Sequence, residues 1–489
     1  MNWKKYKSLP PEEQGNENFY IIGLDLGSHS SGLAFYNLST RQAEVIDMSG
    51  GYGKPSIPTV MQYIPESKEW VFGEYAVLNQ GTDNEITLRD MLSLLGQFEY
   101  INVDKRNLSV ASILGLFIKE VLGNVRNINP NGQIVGIVAT TPAFATPQVN
   151  EELTRAFKSA GYEKELIALV PDRTCALTHY LYTAEVAENI MLLDFGATQL
   201  RGGAYHIQGS HITATQYYFN QSAGTQSIDA STTDYLSQFT GNVPQLAAFT
   251  HQHKDMLFSR NIGDKPVKLY FNFTYPPTMH SVTAQDIAQL LSPHIKTFEK
   301  FIQPMYNRDI TIICTGGGFE MQWARDSIEK ICPQAILYKN PKMVQAQGAA
   351  LVAANYIMAD PPSTHITLTD TNQLPVDIGL FDGKNFLPLA ERNTFWWQHH
   401  TPKLILVNQT VHGDLDLTLA TRTKDFDIMP IGIAKLKGLP KRPKGVTRLR
   451  AGLTFATNHR VTLTIADMGF GELYPQVDYS QETTINIPL

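Results

Sequence analysis

Two acidic turns and one run of glycines are the residues of this chain best suited to chemistry. Asp25 closes the apolar run Tyr20 to Leu24, and Gly27, Ser28 and His29 follow before a second apolar run to Tyr36. Asp194 stands in the same setting, with Gly196, Ala197 and Thr198 between the apolar runs on either side. Apolar runs bounded by Gly and Ser read as strands joined by a tight turn. The N–H groups of such a turn suit a phosphate, and the neighbouring carboxylate can hold a metal ion. A third loop runs from Ile312 to Cys314 and into Gly316, Gly317 and Gly318. One Asp-x-Gly hairpin is most often an ordinary turn. Two of them followed by a strand and three glycines are far more specific. None is a Walker P-loop, because no Gly-Lys-Ser/Thr follows and the chain turns into a strand.

The elements that must position these turns alternate. Residues 20 to 64 read as a strand meander, and residues 74 to 128 as mainly helical, with apolar positions at helical spacing from Ala111 to Val121. Gln133 to Thr141 reads as a buried strand. Thr146-Pro147 predicts a capped helix that Gly161 ends. Leu166 to Val170 predicts a strand, and Asp172 opens a helix to about Tyr182. Leu246 to Phe258 reads as a helix, Val267 to Phe273 as a strand. Thr283 to Asp286 resembles a capping box opening a helix through Leu291. Gln345 to Ile357 is an alanine-rich helix whose small residues permit close backbone approach. The alternation suggests an α/β core with two related lobes.

Composition changes near residue 359. Residues 1–18 read as a flexible N-terminal arm, 19–358 as one α/β domain, 359–373 as a linker, and 374–489 as a separate region. That last region has short alternating runs broken by turns, the pattern of an antiparallel β-sandwich. The 489 residues are 18% charged and 43% hydrophobic, with a formal net charge of -6. This is a soluble globular composition with no general attraction to nucleic acid or anionic membrane. No run reaches the roughly eighteen apolar residues a membrane helix needs. The N-terminus has no signal-peptide core. Cys175, Cys314 and Cys332 show no CxxC spacing, which argues for a reducing, cytoplasmic compartment and against a zinc site. His251, His253, His399 and His400 lack a third ligand at sensible spacing. Trp396 and Trp397 read as a half-buried edge.

The order Gly23-Leu-Asp-Leu-Gly-Ser28, Thr141-Pro-Ala-Phe144, Asp194-Phe-Gly196, Thr315-Gly-Gly-Gly318 and Ala346-Gln-Gly-Ala-Ala350 resembles the ATPase domain of the 70-kDa heat-shock (DnaK-like) chaperones. Glu391-Arg-Asn-Thr394 and Leu436-Lys-Gly-Leu-Pro-Lys-Arg-Pro-Lys-Gly-Val446 resemble that family's peptide-binding sandwich. The resemblance covers roughly residues 20 to 489. It implies an actin-like (ribonuclease-H-like), two-lobed ATPase domain followed by an all-β sandwich, with ATP or ADP and Mg²⁺ as cofactors. By resemblance, Asp25 and Asp194 hold Mg²⁺. Gly27, Ser28 and His29 contact the β- and γ-phosphates, and Gly196, Ala197 and Thr198 form the second phosphate loop. Gly316, Gly317 and Gly318 approach the nucleoside, and Lys254 contacts adenosine. Asp172 falls near the hydrolytic water, so Asp25, Asp172 and Asp194 are the expected catalytic carboxylates. Pro142 falls at the proline switch. Ile405, Leu415 and Leu417 fall near the hydrophobic peptide pocket.

The departures are many. Leu92 stands where the family has a catalytic lysine, with Arg89 the nearest cation upstream. The second loop has one glycine, Arg201 replaces a metal-site aspartate, Asp255 an adenine-stacking arginine, and Asn150 the arginine that works with the proline switch. A cation well placed for phosphoryl transfer is worth roughly 10³ to 10⁵ in rate. Weak hydrolysis or none is expected. The first expectation is an ATP–Mg²⁺-binding chaperone-like protein whose sandwich takes unfolded or extended peptide. The family's helical lid has no counterpart, which implies fast peptide release. The alternatives are a non-hydrolysing scaffold docking one dedicated protein and, less favoured, a sugar or acetate kinase.

Overall fold

The computed structural model describes residues 18–79, 86–142, 145–220, 222–258, 266–306, 309–363, 365–370, 372–457 and 460–487. The N-terminal arm to residue 17, Ala143 and Phe144 lie outside them, as does the side chain of Asp255. The chain divides into two compact units, Met1–Thr369 and Asp370–Leu489.

The first unit is built on two sheets with one strand order. In the first, the order is Leu166–Pro171, Gln133–Thr141, Phe19–Asp25, Ser30–Asn37 and Gln42–Val45, with Ser56–Pro58 also on Ser30–Asn37. In the second it is Ile336–Leu337, Thr311–Thr315, Asn189–Phe195, Leu200–Gln208 and His211–Asn220. The first three strands of each run parallel and the rest antiparallel. Parallel strands carry crossover helices on their faces, which explains the nearly continuous apolar burial of Ile21 to Leu24 and Ile190 to Leu193. Thr367–Asp370, within the stretch read as linker, is a strand on the edge of the second sheet.

Local chemistry sets the helix ends. Thr146 Oγ1 accepts from the Val149 N–H, Pro147 opens the helix Pro147–Ala160, and Gly161 ends it at φ 88°. The box at Thr283 forms with Asp286 on both sides, and its helix runs on through Pro293 to Ile302. The stretch 74–128 is less helical than expected: Ile86–Arg89, Tyr100–Val103 and Arg106–Ser109 are strands beside the helix Val110–Gly123.

Two helices join the sheets. Val344–Ile357 lies on the first sheet, and Asp172–Thr183 shares its core with the second. They cross backbone to backbone: a Cβ at Gly348 would stand 1.8 Å from the Cys175 carbonyl oxygen.

The second unit has two antiparallel four-stranded sheets. One is ordered Phe386–Ala390, Asp377–Phe381, Leu415–Arg422, Ile428–Leu436; the other Lys403–Val407, Thr447–Thr457, Arg460–Asp467, Ser480–Asn486. Leu380, Leu419 and Ala434 of one share a core with Leu449, Leu463 and Ile465 of the other. Inside it, Arg442 donates to both carboxylate oxygens of Asp467 at 2.6 and 2.9 Å and to the Pro475 carbonyl, while the Val477 N–H donates to Asp467. Burial alone would raise the Asp467 carboxyl; the Arg442 bonds hold it below the usual carboxylate range.

Candidate functional site

The chemistry-bearing residues of the first unit gather at the carboxyl ends of the parallel strands, where open α/β sheets bind ligands. Asp25 ends Phe19–Asp25, Thr140 lies near the end of Gln133–Thr141, and Asp172 follows Leu166–Pro171. From the second sheet, Asp194 lies near the end of Asn189–Phe195 and Gly316 follows Thr311–Thr315.

Asp25, Asp172 and Asp194 are close enough to act on one another's charge. Burial pushes the Asp25 carboxyl up to about 7. The Thr140 hydroxyl, donating to it at 2.7 Å, and the Arg201 charge oppose this, while Asp172 and Asp194 add to it. Thr140 Oγ1 also accepts from the Leu26 N–H at 3.0 Å, so one threonine holds both the carboxylate and its turn.

Arg201 is the cation of this cluster. It pairs directly across the hairpin with Asp194, and its Nε donates to Asp194 Oδ2 at 3.1 Å. Its Nη2 donates to the same oxygen and, at 2.9 Å, to Asp172 Oδ2. Burial would lower the Arg201 pKa, but the two carboxylates more than offset this and raise it. Asp194 Oδ1 accepts from Thr315 Oγ1 at 3.2 Å and Gln345 Nε2 at 3.3 Å. Asp172 Oδ1 accepts from the Arg173 N–H at 2.6 Å.

The first turn is anchored through its oxygens. Thr59 donates to the Gly27 carbonyl through Oγ1 and to the His29 carbonyl through its N–H, both at 2.8 Å. Among the described residues, the backbone N–H groups of Gly27, Ser28 and His29 meet no protein acceptor. In the second turn the Gly196 N–H donates to the Gln199 carbonyl at 3.1 Å, and among the described residues the N–H groups of Ala197 and Thr198 meet no protein acceptor. The carbonyls of Gly196 and Ala197 accept from the N–H groups of Thr225 and Gln226, at the start of the helix Thr225–Thr240. Gly316 has φ 93° and lies against Phe195, where a Cβ would stand 2.6 Å from its carbonyl oxygen.

The two halves also meet at His29. Gln226 Nε2 donates to His29 Nε2, which puts the neutral ring's proton on Nδ1, a buried atom without a partner. Burial, then Lys254 and Arg89, lowers the His29 pKa to about 4. Lys254, on the helix Leu246–Phe258, forms a 3.0 Å ion pair with Asp229. Leu92 is a core residue and offers no charge.

A cavity of about 30 Å³ lies beside the carboxylates, between Arg173, Gly202, Tyr217 and Gln345. A larger one, about 180 Å³, lies behind Phe195, between Ser222, His294 and Trp323.

The expected Mg²⁺ pair does not fit its residues. Arg201, Thr315 and Gln345 take both oxygens of Asp194, and Arg201 ties Asp172, which leaves only Asp25 with an uncommitted oxygen. Among the described residues no group of three or more His, Cys, Asp or Glu could hold a metal. Sequence reasoning missed Thr140, Thr315, Gln345 and Gln226. The Asp194–Arg201 pair could have been read from hairpin register. Of the expected peptide contacts, Leu415 is 4% exposed in the core of the second unit, and Ile405 and Leu417 are half-buried against it. On the same edge strand as Ile405, Leu404 and Leu406 are exposed.

Two family models match parts of the chain. Residues 42–240 match the "Family of unknown function (DUF5716) C-terminal" and residues 382–487 the "Domain of unknown function (DUF8552)". Two curated relatives are named "Chaperone protein DnaK". The protein from Thermosipho melanesiensis is 20% identical over 490 residues, covering 93% of this chain and 79% of the relative. The protein from Thermosipho africanus is 20% identical over 496 residues, covering 94% and 79%. The likeness to DnaK is distant and runs over most of the chain.

Proposed function

We propose that this protein is chaperone-like: it binds ATP or ADP in the cleft of its first unit and passes the nucleotide state to a second unit that holds extended peptide or a partner protein. On this reading the first unit is an actin-like, two-lobed frame and the second a β-sandwich. The observation that supports the reading is the convergence of Asp25, Asp172 and Asp194 from two like-ordered sheets on one another, beside two turns with unspent N–H groups. The distant DnaK likeness over both units supports it.

In that cleft the N–H groups of Gly27, Ser28 and His29 donate to phosphate oxygens from one side, and those of Ala197 and Thr198 from the other. The His29 Nδ1–H, buried and unpaired, is a further donor. Gly316 to Gly318 let the nucleoside approach, and Lys254 and Arg89 make the surroundings of His29 positive. No step runs through a metal on Asp25 and Asp194, because Asp194 is committed. Hydrolysis is slow or absent: the ion pair with Arg201 draws the Asp172 charge away from a water, and Leu92 supplies no cation. The same lock favours a second reading, a non-hydrolysing scaffold with one dedicated partner. In the second unit Leu404 and Leu406 offer an exposed edge for strand addition, whereas Leu415 does not.

A thermal-shift series with ATP, ADP and no nucleotide tests the binding. At a hundred times Kd the gain is about 2.7 kcal/mol, a shift of several degrees. No shift with either nucleotide would remove the reading. Pull-down from lysate separates the alternatives: many unfolded clients favour the chaperone, one stoichiometric partner the scaffold.

A further inference from the structure

We propose that Arg201 is the resident cation of this site and that the site takes nucleotide phosphate without a divalent metal, an inference that rests on the nucleotide reading above. Three observations carry it. First, the position is built in: Arg201 and Asp194 are directly opposed residues of one hairpin, and the same guanidinium reaches Asp172. Second, the second-sheet carboxylate is spent. Asp194 Oδ2 takes Nε and Nη2 of Arg201, and Oδ1 takes Thr315 and Gln345, which fills the two acceptor positions of each oxygen. A metal, or the waters around one, finds no free acceptor there. Third, the guanidinium is not spent. Its bonds leave from Nε and Nη2, and among the described residues Nη1 meets no protein acceptor. The Arg201 side chain is 20% exposed and lines the small cavity beside the carboxylates, so its two remaining N–H groups are the donors it has left for an anion. Arg201 thus does two things a metal would do: it holds the acidic residues together and presents positive charge to phosphate.

The test is ATP binding by the full chain, measured calorimetrically in excess EDTA and in excess MgCl₂. The two affinities are expected to agree within about threefold. A greater loss in EDTA overturns the proposal while leaving the nucleotide reading in place. No binding in either condition defeats both. Arg201→Gln is expected to weaken binding in EDTA by about tenfold to a hundredfold, the worth of a bond to a charged group. Unchanged affinity in that variant overturns the proposal. Arg201→Asp supplies a carboxylate instead, and its binding should become EDTA-sensitive. Mn²⁺ spectroscopy without nucleotide adds an independent readout: no bound ion is expected on the wild type, and a stoichiometric bound ion contradicts the assignment. If the variants fail to fold, the wild-type EDTA and Mn²⁺ measurements decide alone.

Discussion

Replacing Asp25 by Asn should stabilise the first unit at high pH and do little at low pH. The Asp25 carboxyl titrates near 7 in the fold, against an ordinary value of 3.8. The folded state therefore holds a proton that the unfolded chain releases between those values, and stability falls as pH rises through that window. Above pH 7 the loss is complete and constant. Its upper limit is about 4 kcal/mol, reduced wherever water enters the cluster or Arg201 shifts toward Asp25. Asn is close in shape to the protonated acid, and its carbonyl can still accept from Thr140. The variant should gain about 2–4 kcal/mol at pH 8 and no more than about 0.5 kcal/mol at pH 4. Urea unfolding from pH 4 to 9, followed by the fluorescence of Trp70 and Trp323, reads this difference in the first unit. The charges facing Asp25 are those of Asp172, Asp194 and Arg201. Parallel pH curves for wild type and variant would mean that Asp25 does not share a buried acidic cluster with them.

Other outcomes follow from single residues. Arg442→Ala leaves Asp467 buried and unpaired and should cost the second unit about 3–5 kcal/mol in its unfolding transition, whereas Arg442→Met with Asp467→Leu should recover most of that. Gly348→Ala, which in an exposed helix would stabilise by about 0.5–1 kcal/mol, should instead destabilise the first unit by about 3 kcal/mol or more, because its Cβ meets the Cys175 carbonyl. His29 should stay neutral down to a pH of about 4. Its stabilising contribution is complete above 6.5 and lost as pH falls toward 4; an imidazole NMR titration with a midpoint near 6.5 would contradict its burial beside Lys254 and Arg89.

The sequence revealed the turns but not what grips them. Asp25, Asp194 and the glycines at 316–318 were legible because each sits where an apolar strand stops, a local signal. Thr140, Thr315 and Gln345 were not, because each reaches its aspartate from a strand or helix more than a hundred residues away in sequence. Arg201 was noticed as a departure, yet its bridge to Asp172 depends on where two sheets meet, which no local pattern encodes. The helix Thr225–Thr240 escaped notice because Ser, Thr and Gln fill it, and only Ile228, Thr232 and Leu236 are buried. The stretch 74–128 was read as too helical because three of its strands span only four residues each, too short for alternation to register. In the second unit Leu415 was placed at a peptide pocket, and the inward–outward alternation of its strand puts it in the core instead.

The central claim is that two glycine turns, one from each sheet, grip a single nucleotide between them. Calorimetric titration of ATP into the full chain, beside Gly27→Val and Gly196→Val variants, tests it most directly. One saturable site per chain, lost or weakened by either valine, is the predicted result. No heat of binding at millimolar ATP, or binding indifferent to both substitutions, would contradict it.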